Sequence, residues 1–241
     1  MRKGSLKLFF CFLFFFEITL ARNPLPFRGS FLMSFSENGP SQKKMWPLQW
    51  SVDVVKMGME VQDDMNKKGV KKRVVYNLAD STWLMLMKFN NVKQGTRIHA
   101  NAMFRDTMKS PEVKIKSTRE TKVIAGYACR KDIVVSKNDS AEVWSTKEIN
   151  FDMCHLYKLL CHCGVMSSYV DDGSWYFAKK IPGMVMEVTS TNRKSKLSYT
   201  MGISEVQPGE INDSYFDLKD FKISDIPEGE SCGPAAKENE Q

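Results

Sequence analysis

The chain has 241 residues, a formal net charge of +7 and 26% charged residues. That length supports one large core or two small ones, and the charged fraction is ordinary for a globular protein, which excludes a disordered chain. Residues 1–21 have the layout of a cleaved secretory signal, and their removal takes three basic residues and one acidic residue, lowering the net charge from +7 to +5. Arg2, Lys3 and Lys7 form the basic start and Leu8–Phe16 the apolar run. Thr19-Leu20-Ala21 then places small residues at the −3 and −1 positions, as a signal peptidase requires. Nine apolar residues are too few to span a bilayer, so cleavage after Ala21 and a secreted or periplasmic location are expected. No later segment approaches the roughly 20 apolar residues of a membrane-spanning helix.

Residues 22–47 are expected to be a mature N-terminal segment rich in turn residues (Pro24, Pro26, Pro40, Pro47), with a short first strand near 28–36. Residues 48–229 read as a single antiparallel β-rich domain. Their apolar residues alternate with period two, as in Val55, Met57, Met59 and Val61, or Trp83, Met85, Met87 and Phe89. Strands are predicted near 48–62, 70–79, 82–90, 96–104, 112–118, 123–136, 140–146, 183–192 and 196–207. Turn residues separate them at Asp63-Asp64, Lys68-Gly69, Asn90-Asn91, Gln94-Gly95, Lys137-Asn138-Asp139 and Asn192-Arg193. Short polar links imply antiparallel pairing, because parallel strands need long crossovers. Between 151 and 163 the period changes. Met153, Leu156, Tyr157, Leu160 and Cys163 step by three and four, the stripe of a helix, with Gly164 at its C-terminal cap position. The tail 230–241 has little apolar content and is expected to be disordered.

The motifs of common catalytic sites are absent. There is no Gly-x-Ser-x-Gly, no His-Glu-x-x-His, no phosphate-binding loop and no dinucleotide fingerprint, and the three histidines are scattered. A non-enzyme without a cofactor is expected. The basic residues lie at turns, Lys67-Lys68, Lys71-Lys72-Arg73 and Arg193 to Lys196, with no nucleic-acid motif beside them. No nucleic-acid partner is expected, and peripheral contact with an anionic envelope surface fits the charge. Asn138-Asp139-Ser140 and Asn212-Asp213-Ser214 are glycosylation sequons for a host that uses them.

Five cysteines follow the signal: Cys129, Cys154, Cys161, Cys163 and Cys232. In an oxidising compartment they are disulfide candidates, and an odd number leaves at least one thiol unpaired within the chain. The run Cys154-His155 followed by Cys161-His162-Cys163 invites a metal reading. On one helix, however, residues seven apart lie roughly 10.5 Å apart along the axis, too far to share an ion. The same distance forbids a Cys154–Cys161 bridge, whose Cα atoms must lie within about 7 Å. No metal site is therefore assigned.

Methionines recur in i, i+2 pairs on predicted strands: Met57/Met59, Met85/Met87 and Met184/Met186. Such spacing puts both thioethers of a pair on one sheet face. The pairs read as filling of an irregular core, as the lining of an adaptable apolar site, or as soft copper(I) ligands. The apolar site is the ligand-binding hypothesis, and it takes all six residues.

Four blocks carry a family resemblance. They are Glu120-Thr121-Lys122-Val123-Ile124-Ala125-Gly126-Tyr127-Ala128-Cys129-Arg130-Lys131, then Ala141-Glu142-Val143-Trp144-Ser145-Thr146-Lys147-Glu148, then Pro182-Gly183-Met184-Val185-Met186-Glu187-Val188, and last Phe221 with Ile226-Pro227-Glu228-Gly229. Taken together over about residues 48–229, they resemble the domain-of-unknown-function family 4412 of secreted Gram-negative proteins. That family is similar to periplasmic lipoprotein-localisation carriers, whose curved antiparallel sheet wraps a helix and shelters acyl chains. The resemblance implies no catalytic residue, and the 154–163 cluster lies outside its pattern. A mainly β (α+β) fold is therefore expected, a strongly curved antiparallel half-barrel packed around one or two helices. The expected function is a non-catalytic binding or carrier module for an apolar ligand or a lipoprotein. The alternatives are an envelope protein-interaction module with a fully packed core, and a periplasmic metal or redox protein.

Overall fold

The computed structural model describes residues 26–38, 47–61, 71–99, 112–153, 156, 157, 160, 177 and 180–226. The fold is mainly β. The strands are β1 (Gly29–Asn38), β2 (Leu48–Val52), β3 (Lys56–Val61), β4 (Lys71–Asn77), β5 (Thr82–Phe89) and β6 (Val92–His99). They continue with β7 (Lys114–Ile124), β8 (Tyr127–Val135), β9 (Asp139–Thr146), β10 (Met184–Asn192), β11 (Ser198–Pro208) and β12 (Lys222–Asp225). All twelve join one sheet in the order β12-β6-β5-β4-β3-β2-β1-β11-β10-β9-β8-β7. The expected domain boundary at residue 48 is moved by this order: β1 lies at the centre of the sheet, hydrogen-bonded to β2 and β11.

Three expected elements are corrected. The single strand at 48–62 is a hairpin, β2 and β3, in which Trp50 pairs with Met59. Asp53 closes it: its backbone N–H donates to the Lys56 carbonyl at 2.7 Å and its carboxylate accepts from the Val54 N–H at 2.7 Å. The parity of the buried positions switches at the turn, from Leu48, Trp50 and Val52 to Met57 and Met59, so that both arms turn the same face inward. Gln94-Gly95 is not a turn but part of β6, which starts at Val92 rather than 96. The turn between β7 and β8 falls at Ala125-Gly126, not at 119–122. Both residues have positive φ (49° and 88°), the geometry of a tight two-residue hairpin, which Gly126 accommodates without a Cβ clash.

The expectation of purely antiparallel pairing is also corrected at one edge, where β12 runs parallel to β6. The parallel step is possible because the chain crosses the sheet between β11 and β12. Residues 209–221 lie over the face opposite the main core, so the last strand arrives from the far side. This crossing segment covers a second apolar cluster of Val75, Leu84, Leu86 and Phe216, with Ile211, Tyr215, Leu218, Phe221 and Ile223 packed against it. Two glycines make room for it: a Cβ on Gly58 would strike the Tyr215 ring, and one on Gly95 would strike Ile223 and Leu86.

The main core lies on the other face. It holds Phe31 and Met33 from β1, Leu48, Trp50 and Val52 from β2, and Met57 and Met59 from β3. Tyr76, Trp83 and Ile98 extend it to β6, and Val134, Val143, Met184, Met186, Met201 and Ile203 extend it the other way. Of the predicted helix 151–163, the residues Met153, Leu156, Tyr157 and Leu160 have helical backbone and are buried in this same core. Burying four such side chains is worth roughly 1.5–3 kcal/mol each before entropy is subtracted. The N-terminal end is tied to this segment, since the Phe27 N–H donates to the Asn150 carbonyl at 2.8 Å.

Candidate functional site

The core face is built of aromatic rings and thioethers. Phe31 stacks on Trp50 with ring centroids 6.1 Å apart, and Phe151 meets Phe31 edge-on at 5.8 Å. The Tyr157 hydroxyl donates to the Met201 sulfur at 3.3 Å. Among the described residues, polar atoms buried in this face without a hydrogen-bond partner include Trp50 Nε1, on a fully buried residue, and Asp132 Oδ1, on a residue 2% exposed. The nearest charge to Asp132 is Arg130, whose Nη2 lies 3.8 Å from Oδ1.

The six candidate methionines separate into two groups. Met57, Met59, Met184 and Met186 are buried in the main core. Met85 and Met87 share the inward-facing parity of Trp83, yet they are 43% and 47% exposed. Met57 and Met59 thus share one face, as do Met85 and Met87, but the bulge between Val185 and Glu187 interrupts the alternation at Met186, and the three pairs are not brought into one concavity. Two pockets formed by described residues lie elsewhere. One is bounded by Lys114, Ser136, Lys137 and Arg193, the other by Asp53, Lys56, Phe216 and Lys219, and neither includes a candidate methionine.

Of the disulfide candidates, Cys129 is a free, buried thiol, which corrects its inclusion. Its side chain packs into the main core and its S–H reaches the Tyr127 carbonyl at 3.4 Å. Burial pushes its pKa up and so keeps it a thiol. Cys154, Cys161, Cys163 and Cys232 lie outside the described residues, as do the signal 1–21 and the tail 230–241. Among the described residues, no three His, Cys, Asp or Glu side chains gather where they could hold a metal ion.

Two clusters have no counterpart in the sequence reading. On the face away from the main core, Trp144 lies under two ammonium groups, Lys122 Nζ at 4.3 Å and Lys131 Nζ at 5.7 Å from the ring. Lys122 also pairs with Glu187 at 2.7 Å, and Lys131 with Glu142 at 2.9 Å, which ties β7 through β10 across their outer surface. The partners sit on four strands, so only the register could reveal them. Nearer the other edge, Tyr215 packs against Gly58 beneath Arg73, whose guanidinium lies 4.1 Å from the ring centroid. Arg73 also donates to the Tyr215 carbonyl and pairs with Glu60 at 3.3 Å. Burial pushes the Tyr215 phenol up to about 12, with the Arg73 charge opposing the shift. These contacts clamp neighbouring strands and the crossing segment together.

Comparison with known proteins agrees on the family and on little else. No curated protein matches the chain. Among solved structures it is similar to PNGF-II in two space groups, at 13% identity and TM-scores of 0.42 and 0.41 over 82% of this chain. The chain spans about a third of PNGF-II, 31% and 32% in the two structures. It is also similar to a DUF1329 family protein from Desulfovibrio piger, at 8% identity and a TM-score of 0.24, over 80% of this chain and 90% of that one. Likeness at these scores carries no functional argument. The family model described as "Domain of unknown function (DUF4412)" matches residues 27–219, from two residues before β1 through β11 and into the segment that crosses the sheet. The chain belongs to the DUF4412 family.

Proposed function

We propose that this protein is an exported, non-catalytic binding or carrier domain for an apolar moiety, a lipid or acyl chain either free or attached to a lipoprotein. The observation that carries the reading is the unfinished polar chemistry of an otherwise apolar core face. Buried indole N–H groups in native cores nearly always find an acceptor, and Trp50 Nε1 has none among Phe31, Met59 and their neighbours. A ligand with an apolar body and one acceptor suits such a face, and polarisable thioethers adapt to its shape. The fold supports the same reading. Open sheets of more than about ten strands curl or split, and curling this one around the 151–163 segment makes a half-barrel with its apolar face inward.

The test is uptake of a fluorescent fatty-acid probe, together with native mass spectrometry for co-purified lipid. Replacing Met57, Met59, Met184 and Met186 by Leu should cost less than about 1.5 kcal/mol per swap and still change probe affinity. Absence of both probe uptake and bound lipid would sink the carrier reading. The second reading, an envelope interaction module with a fully packed core, is favoured by the near-complete burial of those four methionines. Under it the Leu variants leave every binding property unchanged.

A further inference from the structure

The hairpin of β5 and β6 is dressed on one face and bare on the other. Toward the crossing segment, Leu84 and Leu86 are buried, Ile223 closes over Gly95, and Lys93 pairs with Asp220 at 2.7 Å. On the opposite face Met85, Met87, Phe89 and Val92 are 43%, 47%, 44% and 54% exposed. These are four of the seven exposed large apolar side chains among the described residues, gathered on one hairpin. They are also contiguous, since Met87 lies opposite Gln94 and Phe89 opposite Val92 at the closing pair.

The same tip is basic. The hairpin 82–99 carries Lys88, Lys93 and Arg97 and no acidic residue. Lys72 lies opposite Met87 on the bare face, and Lys88 lies opposite Lys93 on the face of Leu84 and Leu86. Lys72 and Lys88 are exposed, and neither has an acidic partner among the described residues. Directly opposed like charges oppose folding, so the pairing of β5 with β6 does not explain Lys88 opposite Lys93.

Strand addition along β6 is blocked over Gln94–Arg97, which β12 already pairs. A second copy docked tip to tip would set the lysines of the two molecules against one another. An apolar wedge rimmed by unpaired ammonium groups instead fits an anionic lipid bilayer, which accepts exposed apolar side chains without a matching pocket and attracts the rim. We propose that the β5–β6 hairpin tip docks this protein on anionic membrane surfaces, Met87, Phe89 and Val92 entering the interfacial layer while Lys72 and Lys88 meet the headgroups. This inference does not rest on the carrier reading. Docking needs no ligand in the core, and probe uptake is measured without vesicles.

The experiment is co-sedimentation of the purified protein with vesicles of equal parts phosphatidylglycerol and phosphatidylcholine, and with phosphatidylcholine alone. Binding is expected to the mixed vesicles only, and to fall at least about tenfold as salt shrinks the screening length. Met87→Glu with Phe89→Glu should lower binding about tenfold or more, and Lys72→Gln with Lys88→Gln several-fold, roughly as charge attraction adds to apolar insertion. Val123→Glu, at a still more exposed apolar site on β7, should bind like the unchanged protein. Urea midpoints for all variants establish that each is folded. The proposal is overturned by failure to bind the mixed vesicles, by equal binding to neutral ones, by full binding of the Met87/Phe89 variant, or by equal loss with Val123→Glu. The first of these outcomes would leave a protein partner as the occupant of the tip.

Discussion

Two neighbouring cross-strand rows on the core face begin alike and end differently. One runs Val52, Met57, Tyr76, Trp83, Ile98 from β2 to β6 and stays buried throughout. The other runs Trp50, Met59, Val74, Met85, Thr96 over the same five strands. It starts fully buried at Trp50, is half-buried at Val74 and is 43% exposed at Met85. Both rows carry methionine on an inward-facing position, and Trp83 and Met85 are next-but-one neighbours on one strand. The difference lies in what stands above them. Trp83 has Tyr76 edge-on at 5.8 Å and belongs to the main core, whereas Met85 lies beyond its limit. Parity assigns a residue to a face; only the reach of the core decides whether that face is covered.

The sharpest way to break this comparison is to truncate the two neighbours on β5. Trp83→Ala should cost about 3–5 kcal/mol, while Met85→Ala should stay within about 0.5 kcal/mol, both read from urea denaturation. Equal costs would mean the core extends over Met85. Within the helical segment, Leu156→Ala should cost about 2–5 kcal/mol, and a loss below half a kcal/mol would remove that segment from the core.

The covered face of the same strands offers a pH test. The Tyr215 phenol is pushed up to about 12 in the folded protein, above the ordinary value of 10. A raised folded-state pKa favours the protonated form, so its contribution is complete below pH 10 and is lost as pH rises from about 10 to 12. Two units correspond to about 2–3 kcal/mol, and Tyr215→Phe should abolish this alkaline loss while leaving neutral stability nearly unchanged. An identical alkaline profile in the Phe variant would show that the phenol is not held in the clamp with Gly58 and Arg73.

The smallest effect belongs to the turn that links β4 and β5. Asp80, between β4 and β5, accepts from the Thr82 hydroxyl at 2.6 Å and the Thr82 N–H at 3.0 Å. The hydroxyl contact leads in holding its pKa below the usual value. A depressed pKa contributes stability above the unfolded value near 3.8 and loses it as pH falls through the folded one. Since the carboxylate is largely solvated, Asp80→Asn should cost less than about 1 kcal/mol at neutral pH and flatten the acid limb. A larger cost would mean that the turn dictates the strand register.

The amino-acid sequence by itself determined the class of the fold, the rough extents of most strands and the family. Alternation of Val, Met, Trp and Ile is a local consequence of the pleat, so it survives in one dimension. Met57 and Met59 share a buried face for the same reason, whereas the bulge between Val185 and Glu187 interrupts the alternation at Met184 and Met186. The tertiary structure decided what depends on contacts distant along the chain. The hairpin at Asp53 stayed hidden because Val55, in the turn, extends the odd-numbered parity of Met57 and Met59, and Gly95 looked like a turn because the reason for a small residue there, Ile223, lies more than a hundred positions away. The central place of β1, the parallel β12 and the bare tip at Met85 and Met87 follow from which strand ends beside which, and how far the core extends over them. Strand periodicity encodes direction, not distance from the core, and so the exposure of the tip appears only once the sheet is assembled.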